Sequence, residues 1–163
     1  MATDTKVIIG TIVSTLLILI VAIFLSSSKL SPAPSSSPPT SISIDKTEVD
    51  FGDMKVTDEK SADFTLTNTG DSPLKISNIS TSCNCTFASI EIAGRKTPEF
   101  SMHASGPLKN WVGEVPPGQT ATLKATYRPK VMPVNGLVTR SVYFQTNDPQ
   151  NSKVEITLRA NVL

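Results

Sequence analysis

Few side chains in this 163-residue sequence are equipped for chemistry. Cys83 and Cys85 are its only cysteines, and Met102 and His103 follow, the latter its only histidine. On an extended backbone two cysteines spaced i, i+2 face the same way with Cβ atoms about 6–7 Å apart. A disulfide needs about 3.5–4.5 Å, so a bridge demands a tight turn at Asn84 and is expected to be strained and reducible. As thiolates, the pair would instead suit a soft metal, Cu(I) or Zn(II). The candidate ligand set is then Cys83, Cys85, Met102 and His103, provided the segment carrying the last two folds over the first two. A third reading is packing alone, since free cysteine is often buried as a small apolar residue.

Hydrolytic chemistry has less to stand on. His103 lies beside Ser101 and Ser105, but no Gly-x-Ser-x-Gly elbow is present to expose a nucleophile. The carboxylates of Asp45, Glu48, Asp50, Asp53, Asp58 and Glu59 alternate with Lys46, Lys55 and Lys60, which reads as a solvated face and not a calcium loop. No catalytic residue is expected, and the chain is read as no enzyme, with neither a cofactor nor a small-molecule substrate. Fifteen basic against fourteen acidic residues leave a net charge of +1, which excludes an electrostatic nucleic-acid binder.

The apolar residues are unevenly spread. Val7 to Leu25 carries no charge, and only Gly10, Thr11, Ser14 and Thr15 interrupt its apolar run. As a helix it would span roughly 28 Å, close to the hydrocarbon thickness of a bilayer. Residues 1–25 therefore read as a cytoplasmic tip and a single transmembrane anchor from Val7 to Leu25. Lys6 favours the amino terminus inside and the remainder outside the cytoplasmic membrane. A cleaved signal peptide is the alternative, although the run is long for one and no Ala-x-Ala site follows. Either way the rest of the chain is exported. Residues 26–41 are mostly Ser and Pro, a composition that can bury little apolar surface, and read as an extended tether.

From residue 42 to 163 the pattern is one of short strands and turns. Ile42-Ser43-Ile44, Ala62 to Thr67, Ala121 to Tyr127 and Val154 to Ala160 alternate with period two, and Leu74 to Ile79, Phe87 to Ile92 and Val138 to Phe144 read as further short strands. Asn68-Thr69-Gly70-Asp71, Pro116-Pro117-Gly118 and Thr146-Asn147-Asp148-Pro149 punctuate them. About seven strands without helical periodicity predict an antiparallel β-sandwich. Residues 93–113 break the rhythm and hold Pro98, Pro107 and Trp111, the only tryptophan. This reads as a long insertion, with Trp111 as either a recognition residue or an aromatic pin.

The order Val49-Asp50-Phe51-Gly52, Phe64 to Gly70, Ser72 to Ile76, Cys83-Asn84-Cys85-Thr86, Pro117-Gly118-Gln119 and Thr146 to Pro149 resembles the prokaryotic domain-of-unknown-function 1573 family. Asn84 stands where that family's Cys-Gly-Cys-Thr signature has Gly, and Asn tolerates the left-handed backbone that such a turn could require. The resemblance implies an immunoglobulin-like sandwich, related to the bacterial-chaperone and major-sperm-protein group, placed outside the cytoplasmic membrane. It implies no activity. The expectation is an anchored module that binds or scaffolds an envelope protein, with copper binding or thiol-redox chemistry at the Cys-x-Cys pair as the alternative.

Overall fold

A computed structural model of the chain describes residues 9–10, 13–21, 39–103 and 105–163. They fall into two units, divided between Ser36 and Ser37. In the first, residues 9–10 and 13–21 are helical, and the apolar side chains from Val13 to Val21 are exposed. Val7 and Leu25, the ends of the expected membrane span, and residues 26–38 of the tether lie outside the described residues. Among the described residues no helix is long and apolar enough to cross a membrane.

In the second unit, period-two alternation becomes strand pairing. One sheet has the order β1 (Ile42–Ile44), β3 (Lys60–Asn68), β8 (Thr120–Tyr127), β5 (Thr86–Ile92), β6 (Arg95–Lys96). The other has the order β2 (Glu48–Met54), β10 (Lys153–Val162), β9 (Gly136–Thr146), β4 (Leu74–Thr81), β7 (Val112–Val115). The inward faces meet as rows of apolar residues. Leu123 sits opposite both Phe64 and Ile90 in the first sheet, and Val142 opposite Ile156 in the second. All five are at most 1% exposed, so a Leu123→Ala change would open a cavity costing about 2–5 kcal/mol.

The expectation of a wholly antiparallel sandwich needs one correction. β2 runs parallel to β10, with Val49 beside Leu158. β2 reaches its sheet by crossing from β1 in the other sheet, so no tight hairpin dictates its direction.

Two turns fix the end of the sandwich where the chain enters it. Asn68 is fully buried; its Nδ2 donates to the carbonyls of Ser72 and Val115, each at 2.8 Å, and its Oδ1 accepts from Gly70 N–H. A side chain on Gly70 would put its Cβ 2.5 Å from the Pro39 carbonyl oxygen and 2.6 Å from Ser41 N, so glycine lets the incoming strand cross there. Asp148, 2% exposed, accepts from the Ile42 and Gln150 amides at 3.0 and 2.8 Å and from Asn151 Nδ2 at 2.8 Å. The Asn151 side-chain bond, followed by those backbone amides, holds its carboxyl below the ordinary aspartate range against the opposing effect of burial.

Candidate functional site

The expected insertion is shorter than its sequence suggests, because strands take both its ends. Ala93 and Gly94, at φ 50° and 76°, form a two-residue turn that pairs Ile92 with Arg95 and creates β6. Thr97 N–H then bonds to Ile90 O at 2.9 Å, and Phe100 bridges Ala88 through both backbone bonds. A 3₁₀ turn at Gly106–Leu108 carries the chain over to β7, which pairs Ile76 with Gly113 and Leu74 with Val115.

Trp111 sits where this crossing meets the second sheet. Its half-buried indole stands edge-on to Phe100, ring centroids 5.5 Å apart at 66°. Gly113 makes the approach possible: a Cβ there would fall 2.6 Å from Ile92 Cδ1 and 2.7 Å from Trp111 Cζ2. Trp111 is thus an aromatic pin, and it also lines a groove of 680 Å³. The groove's apolar wall is Ile92, Pro98, Pro107, Leu108, Trp111 and Val112, and its polar rim includes Arg95, Lys96 and Glu114. It therefore runs between β6, the edge of one sheet, and β7, the edge of the other.

The four sheet edges are not equally available. β1 has three residues, and β6 has two. β2 carries Glu48, Asp50 and Asp53, is interrupted by Gly52 at φ 62°, and has its Phe51 and Asp53 carbonyls occupied by Lys60 Nζ. These are the usual means of blunting an edge. β7 is short too and carries Gly113 and Glu114, but among the described residues no side-chain hydrogen bond ends on the backbone of Val112–Glu114, and Val112 is 54% exposed.

A second constellation is linked to Phe100 through its neighbour Glu99. The Arg128 guanidinium grips Glu59 through Nε at 2.8 Å and Glu99 through Nη1 and Nη2 at 2.7 and 2.8 Å, and lies 4.5 Å from the Phe87 ring centroid. The hydrogen bonds to Glu99 and then Glu59 raise its pKa, and the Arg128 bond holds Glu59 below its ordinary value. Glu99 immediately precedes Phe100, so this ion cluster anchors the chain beside the ring against which Trp111 leans. Nothing in the sequence marked it, because its three members are scattered along the chain.

Cys83 and Cys85 form a disulfide with Cα atoms 5.2 Å apart. The turn that allows it is closed by Thr86 N–H to Cys83 O at 3.2 Å. Asn84 does not take the left-handed conformation considered for it; that backbone occurs at Asn78, φ 52°, at the irregular β4–β9 pairing between Ser77 and Ser80. The turn at Asn84 thus has no need of the glycine found in the Cys-Gly-Cys-Thr signature. Both cysteines are buried, Arg128 N–H donates to Cys85 O at 2.8 Å, and Cys83 Sγ contacts Thr86 Oγ1 at 3.3 Å. With their sulfurs joined, neither presents a thiolate. Met102 and His103 lie in an exposed bend, and among the described residues no group of three or more His, Cys, Asp or Glu is placed to hold a metal ion.

The family model described as HYDIN/CFA65/VesB-like, Ig-like domain matches residues 40–161. The chain belongs to this family. No curated protein matches the chain. Among solved structures it is similar to a protein of unknown function from Porphyromonas gingivalis W83, at 19% identity and TM-score 0.59, over 81% of this chain and 51% of that one. The chain thus spans about half the length of that structure. It is also similar to the seventh PapD-like domain of human CEP192, at 13% identity and TM-score 0.50, over 80% of this chain and 92% of that domain. A family 123 glycoside hydrolase from Clostridium perfringens matches at 12% identity and TM-score 0.52, over 76% of this chain and 27% of that one. At these identities the likenesses establish the immunoglobulin-like fold.

Proposed function

We propose that this HYDIN/CFA65/VesB-like domain is a non-catalytic protein-binding module, presented outside the cytoplasmic membrane by the apolar segment Val7–Leu25 and the Ser/Pro tether. It binds an extended segment of an envelope protein by strand addition at β7. The observation that carries the reading is the β7 edge beside Trp111, its Val112–Glu114 backbone free of side-chain hydrogen bonds, where backbone pairing supplies affinity and the groove reads alternate side chains. The landmarks from Val49 to Pro149 support a place near the domain-of-unknown-function 1573 group within this fold class.

The test is cross-linking and capture with the full chain in its own membranes. A partner held by the wild type and by Leu137→Ser, but lost with Trp111→Ala and Gly113→Ala, supports the site. Leu137 is 89% exposed and lies outside the groove, which makes it a fair control. Equal capture by all four proteins overturns it.

A second reading, thiol-redox exchange at Cys83–Cys85, has the disulfide itself in its favour. The burial of both sulfurs weighs against it, because exchange requires attack on an accessible sulfur.

A further inference from the structure

We infer that the segment taken up along β7 is acidic: an extended strand with an apolar residue and an Asp or Glu two positions apart, both facing the groove. The inference rests on the strand-addition reading above and specifies its partner. Thirteen basic and thirteen acidic residues make the region from residue 42 onward neutral overall, so any charge preference must come from local arrangement. Among the described residues the cations of Arg128, Arg159, Lys75 and Lys46 each have a carboxylate within 4.0 Å. Of the cations without one, Arg95 and Lys96 are the two that line the groove, and both are exposed. Glu91 is the β5 partner of Lys96 in the ladder, yet forms no ion pair with it. The only acidic residue in the lining, Glu114, lies 3.7 Å from Lys75. Arg95, opposite Ile92, shares the groove's face, whereas Lys96, opposite Glu91, belongs to the alternate face of β6. The groove thus offers the uncommitted Arg95 on one bank, with Lys96 at its rim, and an apolar bank of Leu108, Trp111 and Val112 on the other.

An added strand would lie about 4.8 Å from β7, with side chains on one face recurring about every 6.6–7 Å. Residues i and i+2 of that strand therefore face the groove together. An apolar residue at one position meets Trp111, and a carboxylate at the other meets Arg95, with Lys96 adding to the local positive field. Charge at a rim acts chiefly on partner choice, association rate and salt dependence.

The experiment titrates the full chain, in mild detergent, with two tryptophan-free ten-residue peptides of alternating Val and Thr. In one, two Glu replace groove-facing residues; in the other, two Lys do. Trp111, the only tryptophan, reports binding by fluorescence. The expected result is about tenfold tighter binding of the Glu peptide at low salt, a preference that shrinks as salt is added. The double variant Arg95→Glu, Lys96→Glu should favour the Lys peptide, with Arg95→Gln, Lys96→Gln showing little preference. Equal affinity of wild type for both peptides, or a charge reversal that leaves the preference unchanged, overturns the acidic partner and leaves strand addition standing. Binding of neither peptide also overturns it, while the capture experiment with Gly113→Ala judges the β7 edge separately.

Discussion

Trp111 Cζ2 and Cη2 occupy the space that a Cβ on Gly113 would need. A tryptophan and a bare backbone two residues apart thus form one unit, and the shape of the groove depends on both.

Gly113→Ala should force the indole off Phe100. A stability loss of about 1–3 kcal/mol is expected from overpacking, together with a red shift of tryptophan emission. Chemical denaturation followed by fluorescence measures both at once. An unchanged midpoint and unchanged spectrum would mean the ring does not rest there.

Ala93 takes a left-handed conformation, φ 50°, at the lip of the same groove. For a residue with a Cβ this costs roughly 1–2 kcal/mol. Ala93→Asn, which suits the first position of a type I′ turn, should stabilise the chain by about 0.5–1 kcal/mol. Thermal unfolding provides the measurement, and a lower midpoint would contradict the assigned turn.

Asp148 supplies a pH dependence. Its folded pKa is depressed, mainly by Asn151, from an ordinary value of 3.8. The associated stability is fully present above that value and is lost as pH falls through the lower folded pKa. Acid unfolding of wild type should therefore show a loss of stability below about pH 4 that Asp148→Asn lacks. Asp148→Ala should cost about 2 kcal/mol at neutral pH by orphaning buried donors, the Ile42 amide among them. Parallel acid titrations of wild type and Asp148→Asn would refute this assignment.

Arg128→Ala removes two ion pairs and the contact with Phe87, a loss expected to total about 2 kcal/mol. Arg128→Lys should fall between, because lysine keeps the charge and loses the fork. The diagnostic readout is Trp111 emission. If it is unmoved in Arg128→Ala, Glu99 does not hold Phe100 in place.

The disulfide closes a very short loop, for which chain entropy gives about 1.5 kcal/mol. The double variant Cys83→Ser, Cys85→Ser should lose about that much and remain folded. Intact mass of the protein isolated without reductant should be two hydrogens below the dithiol mass. Two free thiols in that preparation would exclude the bridge.

Period-two alternation is local, and it located β3, β8 and β10: Ala62 to Thr67 lies inside β3, Ala121 to Tyr127 inside β8, and Val154 to Ala160 inside β10. β6 and β7 escaped it because two and four residues are too few to show a period. The β5–β6 turn, Ala93-Gly94, also lacks the Asn-Gly pair that normally announces a hairpin. The cysteine pair was visible as a pair, but extended-strand geometry argued against an easy bridge; a hydrogen-bonded turn from Cys83 to Thr86 decided it.

The sequence by itself determined a neutral all-β domain of immunoglobulin-like pattern, preceded by a long apolar run and a Ser/Pro-rich stretch. Those properties follow from composition and from spacing over a few residues. Tertiary structure alone decided that β2 runs parallel to β10, that Arg128 gathers Glu59 and Glu99, and that β6 and β7 face each other across a groove. Each of these joins residues far apart in the chain, and such partners are chosen by how two sheets pack, a choice that no local pattern records.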